Sequence, residues 1–312
     1  MKRSLVIIFS VMVGAAAIAG AIHHVFYRNG PFIPESNQSE LSALKAGSAR
    51  AVSSIRSGRG KVTVKTTSRA ANCSHSEAES VYDVLFIGDK FKYIVNTTCM
   101  ENDPAPRGTK SVSFDGKKVT VFRPGEGAII NDRQSGEGNY EIAVFLRDVS
   151  VQRHGIWDMD NIRKYVPFPG NYAQSKPKII GREIINGNEC TVVEVSFTGK
   201  VGRQDGIKIF RFWIDPKKGY TMPRIQTWGK GGFLKEKTLV QERNARLRNY
   251  GNGIWGPTVV TFDEYVPDPQ TGKVYNHFHS VTTYDSESKL NVNVSSDDVL
   301  LKLPSRTRVY DN

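Results

Sequence analysis

From Lys61 onward, apolar and polar residues alternate with a period of two. Val62 and Val64 alternate with Thr63 and Lys65; Tyr82, Val84 and Phe86 share one face of the next segment, and Phe91, Tyr93 and Val95 one face of the segment after it. Strict alternation is the mark of a strand with one buried side. Shorter strands are expected at Thr109–Phe114 and Val119–Phe122, joined through the hairpin turn Asp115-Gly116, with Ala128–Ile130 adding another. The second half repeats the theme at Lys178–Ile185, Glu189–Phe197, Ile207–Ile214, Met222–Thr227, Lys237–Arg248, Thr258–Val266 and Val274–Tyr284. Asn186-Gly187-Asn188, Asp215-Pro216 and Gly251-Asn252-Gly253 supply turns between them. The pattern predicts a mainly β chain folded as one large antiparallel meander.

Helical spacing is clearest near the start. Ser39 is placed to cap a helix carrying Leu41, Leu44, Ser48, Ala51 or Val52, and Ile55 on one side, with Gly58 and Gly60 expected to stop it. Shorter helices are expected over Tyr140–Val149 and from Asp158 or Asp160 to Tyr165, ending before Pro167 and Pro169. The Gly-rich stretch 124–139 reads as a loop. The strand Ile207–Ile214 is unusual because Ile207, Ile209 and Trp213 alternate with Phe210, Phe212 and Ile214. A strand apolar on both faces is covered on both. The pattern leaves open whether one side lines a cavity or the strand is the middle layer of a sandwich.

Residues 1–28 stand outside this scheme. Lys2 and Arg3 precede an uncharged apolar run from Leu5 to Ile22 with small residues at its end. That layout fits a signal peptide, and the run is also long enough for an N-terminal membrane anchor. Either reading exports the remainder to the periplasm or cell envelope, with the anchor held in an inner membrane. Residues 29–39 form a polar tether, and 40–312 contain no linker that suggests a second domain.

The formal net charge is +12. On an exported protein such a charge suits contact with an anionic membrane surface, although scattered Lys and Arg on strands also simply solvate an outer sheet face. No basic run points to nucleic acid. Cys73 and Cys99 follow the first and third strands of an up-down-up unit, so both thiols emerge at one sheet edge and a Cys73–Cys99 disulfide is expected in an oxidising compartment. Cys190 lies within a strand and reads as a lone buried thiol.

Catalytic chemistry finds little support. His277 and His279 share a strand face, yet no third ligand stands at metal spacing, so no metal is expected. Asp215 reads as a turn former, and Asp263, Glu264, Asp297 and Asp298 belong to no recognised pair. The chain has no nucleophile elbow, phosphate-binding loop or dinucleotide fingerprint, and no cofactor is implied. Asn37, Asn72, Asn96 and Asn293 begin Asn-x-Ser/Thr triplets, relevant only in a glycosylating pathway.

Three short motifs remain: the hairpin Trp213–Arg224 (Asp-Pro-x-x-Gly-Tyr-x-x-Pro-Arg after a strand), the Gly-x-Trp-x-Pro start at Gly253–Pro257, and the tail Leu303–Asp311. Together with the export signal, single helix and long meander, they make the chain resemble bacterial outer-membrane lipoprotein-sorting-like proteins, in their uncharacterised exported branch. The resemblance implies an open, incomplete β-barrel with helices against its concave face, holding acyl chains without cofactor or covalent chemistry. The chain departs from the carrier pattern in its length, basic charge and expected disulfide. The expected function is therefore non-enzymatic binding of lipid or lipoprotein acyl chains in an apolar cavity. Val193, Val195, Phe197, Ile209, Phe210, Phe212, Trp213 and Trp228 are its candidate lining. The alternatives are an envelope protein-interaction or regulatory module with a filled core, and a cell-envelope hydrolase, which would need His277 or His279 beside Asp263 or Glu264 in a pocket.

Overall fold

The computed structural model describes residues 35–69, 75–99, 108–132, 173–201, 204–231, 234–268, 271 and 273–311. Among them stand one helix, α1 (Glu35–Ser54), and sixteen strands in a single sheet that does not close on itself. The first wing is β1 (Ser57–Arg69), β2 (His75–Ile87), β3 (Lys90–Cys99), β4 (Gly108–Phe114), β5 (Lys118–Arg123) and β6 (Gly127–Asp132). The second is β7 (Ala173–Gln174), β8 (Lys178–Ile185), β9 (Asn188–Val201), β10 (Gln204–Asp215), β11 (Thr221–Gly231), β12 (Leu234–Asn249), β13 (Trp255–Pro267) and β14 (Val274–Tyr284). Both wings are meanders, joined where β1 pairs antiparallel with β14 from Val62–Tyr284 to Ser68–Phe278. The expected meander and open architecture are thus observed, including pairings that only the folded chain reveals.

Two short strands fasten the tail. β15 (Lys289–Leu290) pairs with β1 alongside β14, and β16 (Val309–Asp311) runs parallel to β6 at one end of the sheet. Between them the Lys90 and Lys92 ammonium groups donate to Ser296 Oγ and the Asp298 carbonyl, so the tail crosses β3.

Local chemistry accounts for the turns. Asn186 and Gly187 both adopt positive φ, the requirement of the two-residue hairpin between β8 and β9. The Asp115 carboxylate accepts the amides of Lys117 and Lys118, closing the β4–β5 hairpin. Asp215 does the same for Lys217 and Lys218 at 3.0 and 3.1 Å, and Gly219 ends the 3-10 turn Pro216–Lys218 at φ 64°.

The helix departs from expectation at both ends. It begins at Glu35, so Ser39 lies inside it, and the end of the expected tether is helical. Pro34 immediately precedes it in sequence, a residue whose fixed φ suits a helix start. Gly58 and Gly60 do not stop it; they belong to β1. A side chain at Gly58 would collide with the Phe86 ring, and one at Gly60 with Ser288, so these glycines serve close packing. The helix end is held by Asn291, whose amide donates to the Ser54 carbonyl at 2.6 Å and whose oxygen accepts the Arg56 amide at 2.7 Å. The helices expected over 140–149 and 158–165, the apolar run 5–22 and Cys73 lie outside the described residues, as does the Cys99 side chain. Among the described residues no helix is long and apolar enough to cross a membrane.

Candidate ligand-binding face

Side-chain alternation gives the sheet an inner face, which carries α1, and an outer face. Leu41 and Leu44 of α1 pack on Val193, Val195 and Phe197 of β9, Phe210, Phe212 and Ile214 of β10, and Met222. Register explains the grouping: Val195 stands opposite Phe210 and Val193 opposite Phe212, so all four point the same way. The Phe197 and Phe210 rings meet edge to face at 5.6 Å between centroids, a favoured aromatic geometry. Helix α1 is pinned here by Glu40, which accepts from Arg182 and Thr191 at 3.2 Å, and by Gly47, which leaves room for the Tyr220 ring.

The same face continues into a second apolar cluster around Val62, Val84, Phe86, Phe91, Tyr93 and Phe114, with Val260 and Tyr284 from the other wing. Val84 pairs with Tyr93, Tyr93 with Val112, and Phe91 with Phe114, so the apolar row crosses the strands without a break. Phe91 and Phe114 stack at 5.7 Å. At the end of the strands this cluster opens into a cleft of about 460 Å³, a volume that includes space open to solvent. Its walls include Ile55, Val62, Phe86, Pro257, Tyr284 and Leu290. Tyr250 adds a ring fixed by its hydroxyl, which donates to the Pro257 carbonyl at 2.7 Å, and Arg248 lies 4.2 Å over that ring.

The eight candidate lining residues therefore separate. Val193, Val195, Phe197, Phe210 and Phe212 stand on the inner face under α1. Ile209, Trp213 and Trp228 stand on the outer face, where Ile209 is opposite Trp228 and Trp213 is opposite Arg224. Trp213 is buried, but with Cys190 and Val192. Its indole donates to Glu183 at 2.9 Å and lies 5.0 Å from the Arg224 guanidinium. Trp228 donates to Gln226 at 3.1 Å, with Arg211 and Lys237 over its ring. The cleft residues escaped sequence reasoning as a group. Their strands were recognisable from the alternation at Val62 and Phe86, but the role of Gly58 and Gly60 in letting Phe86 and Ser288 approach was not.

The outer face is organised by charge. Lys178, Glu194, Arg211, Gln226, Glu242, Asp263 and His279 stand opposite one another strand by strand from β8 to β14. Glu194 binds Arg211 at 2.9 Å and Lys178 at 3.2 Å. Burial pushes its carboxyl up, but the hydrogen bonds from Arg211 and Lys178 outweigh that and hold it below the ordinary carboxylate value. Glu242 accepts from Arg224 and Gln226, each at 2.6 Å. Asp263 accepts from Asn276 and contacts His279 Nδ1, each at 2.7 Å.

His279 thus does sit beside Asp263, one half of what a hydrolase would need. The pair is on the outer face, whereas the cleft opens on the inner one. His277 Nδ1 is buried without a partner, and among the described residues no group of His, Cys, Asp or Glu is arranged to hold a metal. The Cys190 thiol is raised to about 11 by burial, with the Asp215 charge adding to the effect, which leaves it protonated and unreactive at neutral pH.

No protein-family model matches the sequence, and comparison with curated proteins finds no match. Solved structures with a similar layout include a LolA superfamily protein from Nitrosomonas europaea, at 17% identity over 84% of this chain and 97% of that one, with a TM-score of 0.42. An outer membrane lipoprotein-sorting protein domain from Vibrio parahaemolyticus shares 12% identity over 85% of this chain and 96% of its own, with a TM-score of 0.39. The Mycobacterium tuberculosis lipoprotein LppX shares 12% identity over 83% and 99%, with a TM-score of 0.28. At these values the likeness carries no ligand, partner or activity across to this chain.

Proposed function

We propose that this chain is an exported, non-enzymatic binding protein that holds lipid or lipoprotein acyl chains against the inner face of its sheet. The observation that carries the reading is a pair of apolar clusters on one sheet face, one from β9 to β11 under α1 and one from β12 through β14 and β1 to β5, the second opening into a cleft lined mainly by apolar residues with Arg59 and Lys289 among them. Each methylene buried there contributes about 0.8 kcal/mol. The His279–Asp263 pair, turned to the other face and engaged with Asn276, supports binding over hydrolysis. Titration with a fluorescent fatty acid tests this: saturable binding that a Tyr284→Asp substitution abolishes is expected, and a flat titration of the wild-type chain sinks the reading.

A second reading has its own support. Phe91, Tyr93 and Phe114 are almost fully buried and stack closely, as in a filled core. That favours an envelope interaction module, which would co-purify with a protein in place of lipid.

A further inference from the structure

One side chain behind the cleft wall holds two of the segments that form it. Arg248 stands near the end of β12, with β13 between that strand and β14 in the sheet. Its guanidinium nevertheless reaches the turn after β14, donating to the carbonyls of Asp285 and Ser286 at 3.0 Å and of Ser288 at 2.9 Å. The residue opposite Arg248 on β13 is Gly256, which puts no side chain in the way. The same guanidinium lies 4.2 Å from the centre of the Tyr250 ring. Gly256 gives that ring room as well, since a Cβ there would come within 3.0 Å of it. Tyr250, Gly256 and Pro257 line one part of the cleft, and Ser288, Lys289 and Leu290 another. The other holds on the second part include two pairings of β15 with β1, Gly58–Leu290 and Arg59–Lys289, and Asn291 at the end of α1. A strand of two residues is well below the usual length, so the place of this wall depends strongly on the Arg248 bonds.

We propose, resting on the acyl-binding reading above, that Arg248 is a positioning residue of the cleft. By joining the 285–288 turn to the Tyr250 ring across β13, it sets the spacing of the Ser288–Leu290 and Tyr250–Pro257 walls and so governs how long an acyl chain is retained between them. The task suits an arginine: its planar fork serves several carbonyls at once while its flat face lies on a ring, which a lysine ammonium cannot do. The hydrogen bonds of Arg248 go to main-chain carbonyls of the turn. Its effect on a bound chain is therefore the same whether that chain ends in a carboxylate or a hydroxyl.

Dissociation rates of cis-parinaric acid, a fluorescent fatty acid, and of the corresponding alcohol test this on the full-length chain. Arg248→Met and Arg248→Lys are both expected to speed the release of both probes about tenfold, the size of one lost hydrogen bond to a charged group. Arg246→Met, at an exposed arginine two positions away, is expected to leave both rates unchanged. Unchanged rates in Arg248→Met overturn the proposal, as does rescue by Arg248→Lys, which would make charge the operative property. Faster release of the acid alone would make Arg248 a head-group contact and also overturns it. Equal acceleration by Arg246→Met would reduce the effect to a general loosening. Hydrogen exchange of the wild-type chain requires no variant to fold: palmitate is expected to add protection to 285–291 and to 250–257 together, and protection confined to one of them overturns the coupling. A wild-type chain that binds neither probe overturns the acyl-binding reading itself, an outcome separate from all of these.

Discussion

The two faces of this sheet are built from the same strands by opposite means. On the inner face, Phe91, Phe114, Phe197 and Phe210 are held by contact area and ring geometry, with few directional bonds. On the outer face, residues one position away in sequence form a ladder of ion pairs and hydrogen bonds, and even Trp213 and Trp228 are anchored through their indole N–H groups. The comparison teaches that apolar character alone does not mark a ligand face. Trp213 is as buried as Phe212, but it is committed to Glu183 and Arg224, whereas Phe212 belongs to the apolar cluster under α1.

If the inner face is held by packing, removing a ring there has the largest cost. Phe91→Ala is expected to destabilise the chain by about 3–5 kcal/mol in urea unfolding, the range for an aromatic deleted from a core. A loss below 1 kcal/mol would mean that the inner face is loosely packed and the contrast fails. Lys208, opposite Phe197, is one of the charged residues on the inner face, with Arg243 and Glu264, and its charge is expected to cost stability. Its pKa is about 8 in the folded chain and close to the usual lysine value when unfolded. The unfolded chain therefore binds more protons between these values, and stability rises with pH across that window. Lys208→Met should accordingly stabilise the chain by about 1–3 kcal/mol at neutral pH and flatten that rise; an unchanged profile would remove the strain attributed to Lys208.

Smaller effects are expected on the outer face. Arg211→Met leaves Glu194 with Lys178 alone and should cost about 1–2 kcal/mol near neutral pH. The Glu194 pKa is lowered on folding, so its contribution is present above the usual carboxylate range and is lost as pH falls through the folded value. The gap between wild type and variant should therefore narrow on acidification, and a pH-independent gap would argue that Arg211 acts through packing on Trp228. His279→Gln, at a half-exposed pair, should change stability by about 0.5 kcal/mol or less. A larger loss would give the His279–Asp263 pair a role that the outer-face ladder does not explain.

Much of the scaffold was legible because strands announce themselves locally. Val62 and Val64, Tyr82 to Phe86, and Asp115-Gly116 all read correctly from neighbours in sequence. The seam between β1 and β14 was not legible, since no local pattern records that Val62 lies beside Tyr284. Gly58 and Gly60 were misread for a related reason. A glycine after a helical pattern is an ordinary stop signal, and only the approach of Phe86 and Ser288 reveals why these positions lack side chains. At the candidate site, the two-sided apolar character of β10 implied cover on both faces; among the described residues α1 covers the inner one, whereas Ile207 on the outer one is exposed. Which face suits a ligand depended on the partners of Trp213 and Trp228, residues on β8 and β11 that the sequence of β10 does not specify.

Lipid carried on the inner face would stay with the purified protein. Native mass spectrometry of the full-length chain, purified from cells without delipidation, measures this directly. The expected spectrum shows the protein with adducts whose released masses match acyl lipids and disappear on organic extraction. A single adduct-free species, or co-purification of a protein partner without lipid, would contradict it.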